Sequence, residues 1–392
     1  MPAVRAMLVD LHAHFPMHLL PQDQRKSHDH VRAYSRRRWQ AVLVDLISRV
    51  ANYQGPGDTP SVTEALMREG NVGVALSVLY APFDEMDLTK SYGAPPTGGY
   101  FKDLLSELEL VEDHARAHAG EVTIAHSPAE LSDALLDGRK PILIHCIEGG
   151  FQLGGDEAEV GEHVRELAQR GVAYITLAHL FWRQVATNAP ALPFLPDRLY
   201  HWVFPQPEQG LSELGRAAAR AMVEHRILID ITHMSERSID DTFALLDDID
   251  PDKRVPVIAT HMACRFGGLE YSFSDETIRR VAGRGGVMGC ILCKHYVTSG
   301  LPGGVRDRQD SVEALCRHID HIRDVTGSLD HVGIGSDLDG YIKPALPGLE
   351  HMGHMRALQD ALERRYGAED ARRISSGNAL RVLRAGWGTH TG

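Results

Sequence analysis

The chain has 392 residues, enough for one large α/β barrel with insertions or for two ordinary domains. Its 43% hydrophobic and 24% charged residues make a globular balance with ample material for a core. A net charge of -12, from 41 basic and 53 acidic residues, argues against nucleic acid or an anionic membrane surface as a partner. The five cysteines are an odd number scattered over a long chain. They imply no disulfide framework, and a reducing cytoplasm is the default expectation. No secretory signal precedes the first apolar run, and no segment approaches the length of a membrane span. The 22 histidines are a high count that fits metal chemistry.

Along the chain, apolar runs of strand length alternate with longer segments of helical period. The strand-like runs are Met7–Phe15, Val72–Tyr80, Pro141–Glu148, Ala173–His179, Ile227–His233, Val255–His261, Gly286–Leu292 and His331–Asp337. Helical patterns cover Arg38–Tyr53, Phe101–His118, Glu157–Arg170, Leu211–Arg226, Ser235–Asp248, Asp275–Arg284, Ser311–Thr326 and Met352–Tyr366. Ser212, Ser235 and Ser274 fit as helix N-caps. Eight strand–helix units with continuously apolar strands predict a parallel (β/α)8 TIM barrel in a single domain spanning 1–392. Insertions are expected at about 81–140, holding a strand-like Glu121–His126 and a helix Pro128–Gly138, and at about 181–210. The connections Ala81–Tyr100, Phe181–Gly210 and Lys294–Asp310 are long enough to be functional loops on the C-terminal face. The pair Cys290 and Cys293 falls within a strand, where positions three apart face opposite sides, so a buried structural pair is expected.

The strand ends carry the chemistry. His12 and His14 lie two apart at the end of the first strand, where both imidazoles present to one side. Glu148 ends the third strand, His179 the fourth, His233 the fifth, His261 the sixth and Asp337 the eighth. In a parallel barrel these ends form one ring. Imidazoles with carboxylates and no thiolate match a borderline metal, with zinc favoured. Four histidines and Glu148 exceed what one tetrahedral catalytic zinc with an open position needs. They suit two divalent ions sharing Glu148 as a bridge, with a metal-bridging hydroxide as nucleophile. Asp337 is placed for general acid/base work. No G-x-S-x-G elbow or Walker-type loop offers a competing chemistry.

The patches Ile147-Glu148-Gly149-Gly150, Tyr174–His179, Leu228–Ser235, Pro256–His261, Asp330–Gly340 and Ser376–Leu383 resemble the renal (membrane) dipeptidase family, in the family's order. The resemblance implies a binuclear zinc barrel that hydrolyses dipeptides, including those with a D-residue at the second position. It also implies that His12 and residue 14 bind one metal, that His233 and His261 bind the other, and that Glu148 bridges them. His179 would hold the substrate or developing oxyanion, and Asp337 would be the acid/base. Position 14 departs from the family's Asp. The family's carboxylate-clamping arginine, about ten residues after the sixth-strand histidine, is also missing from Gly268–Asp275, and Arg265 matches a different family arginine. His179, Arg265, Trp182 and Tyr271 are the candidate substrate contacts. The expected partner is a dipeptide-like small molecule, and a homodimer is expected only by analogy with such families. The competing readings are a hydrolase of a lactone, ester or other amide on the same centre, and a metal-binding protein without catalysis.

Overall fold

The computed structural model describes residues 7–19, 59–85, 90–193, 195–340 and 344–388. The apolar runs form nine parallel strands: β1 (Leu8–Ala13), β2 (Val72–Leu79), β3 (Thr123–Ile124), β4 (Ile142–Glu148), β5 (Tyr174–Thr176), β6 (Leu228–Asp230), β7 (Val257–Met262), β8 (Met288–Cys290) and β9 (Val332–Ile334). The order is β2-β1-β9-β8-β7-β6-β5-β4-β3, and β2 also pairs with β4 from Val74 to Leu79. That pairing closes eight strands into a (β/α)8 barrel and leaves β3 outside it, held to β4 through Thr123↔Ile142 and Ile124↔Leu143. Closure removes the free sheet edges that a buried parallel sheet could not tolerate.

Alternation along the strands sends side chains into two buried clusters. Ile142, Ile144, Cys146, Tyr174, Leu228 and Ile258 lie in one, with the closing helix Asn378–Gly386 and Trp387. Leu143, Ile147, Ile175, Ile229 and Val257 lie in the other, beneath the surrounding helices. Ser212, Ser235 and Ser274 cap their helices, accepting hydrogen bonds from the backbone N–H of Gly215, Ser238 and Thr277. Each such cap contributes about 1 kcal/mol.

Several boundaries differ from the sequence reading. The expected helix Arg38–Tyr53 lies outside the described residues. Each long connection contains a short helix, namely Pro82–Glu85, Asp197–Val203 and Lys294–Thr298. The helical pattern expected to end at Tyr366 runs through Met355–Arg372, with Gly367 at φ 81° marking a kink where the ladder resumes. Four of the barrel strands are only three residues long, shorter than the apolar runs that contain them. All five cysteines are free and buried. Among the described residues, no helix is long and apolar enough to cross a membrane.

One buried histidine outside the mouth bolts the segment after β7 to the helix Arg308–Thr326. His318 Nδ1 accepts from the Cys264 N–H at 2.9 Å, and its Nε2 donates to the Val297 carbonyl at 2.9 Å. Burial presses its pKa from 6.5 to about 4. A base depressed on folding contributes stability that is complete above its unfolded pKa and is lost as pH falls toward the folded one. Urea midpoints should therefore show the stability advantage of wild type over His318→Gln shrinking between about pH 7.5 and about pH 4.5. An advantage independent of pH would contradict the assignment.

Candidate metal centre

The strand ends meet at one carboxylate. Glu148 Oε1 lies 3.3 Å from His12 Nε2 and 3.5 Å from both His233 Nε2 and His261 Nε2. Glu148 Oε2 lies 3.4 Å from His14 Nε2 and 3.3 Å from His179 Nε2. The Nε2 atoms of His12 and His14 are 3.3 Å apart, and those of His233 and His261 are 2.9 Å apart. Asp337 closes the ring, with Oδ1 3.4 Å from His14 Nε2 and 3.8 Å from His12 Nε2. His12, His14, Glu148, His179, His233, His261 and Asp337 are thus brought together, as the ring of strand ends requires.

Getting there costs backbone strain. His233 sits at φ 66° and Asp337 at φ 56°, in the left-handed region that a non-glycine residue enters at about 1 kcal/mol or more. The Asp337 N–H donates to the His12 carbonyl at 2.9 Å, and the His14 N–H to the Leu338 carbonyl at 3.0 Å, lacing the ends of β1 and β9 together. Gly340 is required beneath them, since a Cβ there would lie 1.9 Å from Asp337 Oδ1.

Behind the imidazoles, hydrogen bonds set which nitrogen faces inward. Asp230, fully buried in the barrel, accepts from the hydroxyls of Thr176 and Thr260 at 2.6 Å each and from that of Thr232 at 2.7 Å. The Thr260 oxygen, having donated to Asp230, is left to accept from Nδ1–H of His12 at 3.1 Å and of His261 at 3.0 Å. The Tyr174 hydroxyl donates to the Leu11 carbonyl and accepts from His12 Nδ1–H at 2.8 Å. His12 and His261 are thereby assigned the tautomer with a bare Nε2 lone pair pointing at Glu148, the orientation a metal ligand needs. Glu85 holds the ring of His179 from behind. It accepts the Nδ1–H at 2.7 Å, the Tyr80 hydroxyl at 2.6 Å and the Phe181 N–H at 2.9 Å.

The electrostatics favour positive charge at this point. Burial opposes ionisation of Glu148, but the neighbouring His179 and His12 hold it well below the usual carboxylate range. Burial also opposes protonation of His14, yet hydrogen bonds to Asp337 and Glu148 lift it to about 10. His233 and His261 go the other way, their pKa lowered mainly by burial, which keeps their rings neutral and able to donate a lone pair. Asp337 is raised, mainly by burial. Paired Nε2 atoms around a buried carboxylate, with their Nδ1–H groups bound behind where the network reaches them, form a donor set that fits divalent cations.

The other expected substrate contacts sit differently. Arg265 is spent on structure: Nε donates to the Ser272 carbonyl at 2.8 Å, Nη2 to the Glu270 carbonyl at 3.2 Å, and Nη1 to the Glu236 carboxylate. The Tyr271 hydroxyl donates to the His261 carbonyl at 2.6 Å, and its ring meets His233 edge-on and stacks on Tyr296. It braces His233 and His261 rather than offering its hydroxyl to a ligand. Trp182 is buried against the 90–100 segment, its backbone N–H donating to the Tyr92 hydroxyl at 3.3 Å. Sequence reasoning missed Glu85, Asp230, Thr260 and Tyr174. Asp230 and Thr260 lie within the quoted strand patches, three residues and one residue before a candidate ligand, and Tyr174 starts another. Glu85 had no local signal.

The membrane dipeptidase family (Peptidase family M19) matches residues 3–387. The chain belongs to that family. Dipeptidase tcpJ of Claviceps purpurea (strain 20.1) is 25% identical over 290 residues, covering 72% of this chain. That match spans 60% of the length of tcpJ. Among solved structures, the dipeptidase AC, a metallopeptidase of family M19, superposes with a TM-score of 0.70 at 20% identity, over 98% of this chain and 99% of the other. A metallopeptidase from Rhodobacter sphaeroides, liganded with a phosphinate mimic of the dipeptide L-Ala-D-Ala, gives 0.67 at 21% identity, over 97% and 99%. The probable dipeptidase PvdM from Pseudomonas aeruginosa gives 0.66 at 18%, over 97% and 95%. At these identities the structural likeness carries the fold, and the family carries the kinship.

In this M19 chain the Thr260 hydroxyl orients one histidine on each side of Glu148, so its removal should be felt as metal affinity. Thr260→Val is expected to weaken zinc retention against a competing chelator by about 10–100-fold, with Thr260→Ser close to wild type. Equal retention in all three proteins would contradict the role.

Proposed function

We propose that the chain is a metal-dependent hydrolase that cleaves the amide bond of a dipeptide or dipeptide-like small molecule. The observation that carries this reading is the convergence of five imidazole Nε2 atoms, from the ends of four barrel strands, on the single buried carboxylate of Glu148. Two divalent ions, zinc by donor type, would be held by His12 and His14 on one side and by His233 and His261 on the other, with Glu148 shared between them. When bound, such a pair polarises the scissile carbonyl and makes water a nucleophile at neutral pH.

The remaining work falls to the chain. Asp337, its carboxyl raised by burial and strained toward the mouth, takes the proton released as water adds to the carbonyl. It then delivers that proton to the departing amine as the C–N bond breaks. His179 is raised despite its burial, through the charges of Glu148 and Glu85. Held by Glu85 at Nδ1, it presents Nε2 as a donor to the oxygen on which charge develops. His14 in place of the family's Asp leaves one less negative charge on the His12 side, which bears on metal preference. The five free thiols accord with a cytoplasmic setting.

A second reading keeps the centre and changes the substrate. It is favoured by the engagement of Arg265 with Glu236, Ser272 and Glu270, which leaves that guanidinium committed away from a substrate carboxylate. An amide, ester or lactone without a free carboxylate would then be the better substrate.

Zinc-reconstituted protein assayed against L–L and L–D dipeptides and their C-terminal amides separates the two readings. Hydrolysis of the free dipeptides, with kcat reduced about 10²–10⁴-fold in Asp337→Asn, is the expected outcome. Turnover confined to the amides or to esters would favour the second reading. Unchanged kcat in Asp337→Asn would remove Asp337 from the mechanism.

A further inference from the structure

A second set of metal-type donors lies on the outer wall of the barrel. Glu112, on the helix Gly98–Ala117, points Oε1 at two imidazoles: His126 Nε2 at 2.8 Å and His145 Nε2 at 3.3 Å. The three donor atoms all lie within 4.8 Å of one another. His145 sits on β4 three residues before Glu148. In a strand an odd separation puts the two side chains on opposite faces, so this cluster is distinct from the ring at the mouth.

The His126 ring is held for one purpose. Its Nδ1–H donates to Glu130 Oε2 at 3.0 Å, and its backbone N–H donates to the same oxygen at 3.1 Å. Gly171, at φ 78°, packs against it so closely that a Cβ there would come within 2.6 Å of the His126 Cα. With the Nδ1 proton fixed by Glu130, a neutral His126 turns its Nε2 lone pair toward a carboxylate oxygen at hydrogen-bond distance. Two lone pairs at that separation repel, so positive charge must stand there, either as a second proton on the ring or as a cation. His145 adds a further imidazole nitrogen, its Nε2 3.3 Å from the same carboxylate oxygen. It is fully buried, and its Nδ1 has no hydrogen-bond partner among the described residues, so its polar engagement runs through Nε2.

We propose that Glu112, His126 and His145 form a separate divalent-metal site, taking zinc or a similar borderline ion, that clips the inserted segment 121–138 to the barrel wall. Two imidazoles and one carboxylate are a donor set zinc accepts, and Zn–N bonds of about 2.0–2.1 Å put neighbouring ligand atoms roughly 3.3 Å apart, against 2.8 and 3.3 Å from Glu112 Oε1 to the two imidazoles. Glu130 supplies the carboxylate–histidine contact that orients a metal-bound imidazole. The side chain of His126 is 36% exposed, which leaves a path for the ion and a fourth position for water. Glu112 is held ionised at about 2, first by its hydrogen bond to His145 and despite partial burial, so an anionic ligand is ready. The clip has a purpose in the fold. β3 pairs with β4 over two residues only, and the helix Pro128–Asp137 follows directly from His126, so little else in the ladder fastens this excursion.

The test is metal content per chain in the full-length protein, stripped by chelator and re-equilibrated with zinc, read by mass spectrometry beside the zinc-induced shift in Tm. His126→Ala and Glu112→Gln, both at partly exposed positions, should each bind one ion fewer than wild type and lose that part of the Tm shift. Turnover at saturating zinc should stay within about twofold, since neither residue touches the mouth. Glu148→Gln should keep the ion that His126→Ala loses. The ions remaining in His126→Ala report on the Glu148 centre, so a failure there is read apart from a failure here. Equal metal content in wild type, His126→Ala and Glu112→Gln would overturn the site and leave a protonated His126 between two carboxylates.

Discussion

A carboxylate with 2% of its side chain exposed, at the end of a β-strand, is the constraint on which this molecule turns. Removing a carboxylate from water costs many kcal/mol unless positive charge accompanies it. Glu148 has no cationic side chain of Lys or Arg recorded beside it among the described residues. It has five imidazoles, each presenting Nε2. Imidazoles answer such a carboxylate in two ways, by taking protons or by sharing cations. The network behind them bears on which, because Thr260 and Tyr174 place the protons of His12 and His261 on the outer nitrogen and leave lone pairs on the inner one. The closed ring of strand ends brings these imidazoles from widely separated places in the sequence to one point.

The second layer is as organised as the first. Asp230 spends both oxygens on the hydroxyls of Thr176, Thr232 and Thr260, so a fully buried charge is satisfied by hydrogen bonds alone. Through Thr260 it reaches one histidine on each side of Glu148. The strain at His233 and Asp337 sits at the same mouth, where it aims two side chains that regular strand geometry would have pointed elsewhere. Rigidity in this layer holds the reacting groups in place without solvent rearrangement, which is the main source of electrostatic catalysis in a dry site.

Much of this was legible in the chain. The barrel followed from eight apolar runs alternating with helical patterns, because a parallel strand buried on both faces is apolar nearly throughout, as in Ile142-Leu143-Ile144 and Val257-Ile258-Ala259. The ring followed from the residues that ended those runs. Local pattern could not reach contacts made by residues distant in sequence. Glu85 belongs to a one-turn helix inside a connection that reads as loop, yet it fixes His179, 94 residues away. Tyr271 lies in the segment where a clamp was expected and Arg265 just before it, and composition cannot tell a ligand-facing hydroxyl from one bonded to the His261 carbonyl. Chain order placed His126 and His145 in separate elements. Only the register of β3 on β4 brings them to one carboxylate.

The central claim is that Glu148 is shared by two cations held between pairs of histidines. Anomalous diffraction from crystals of the zinc-loaded protein, collected on either side of the zinc absorption edge, tests it most directly. The account predicts two peaks about 3.5–4 Å apart astride Glu148, one beside His12 and His14 and the other beside His233 and His261. A single peak at the mouth, or none, would contradict it.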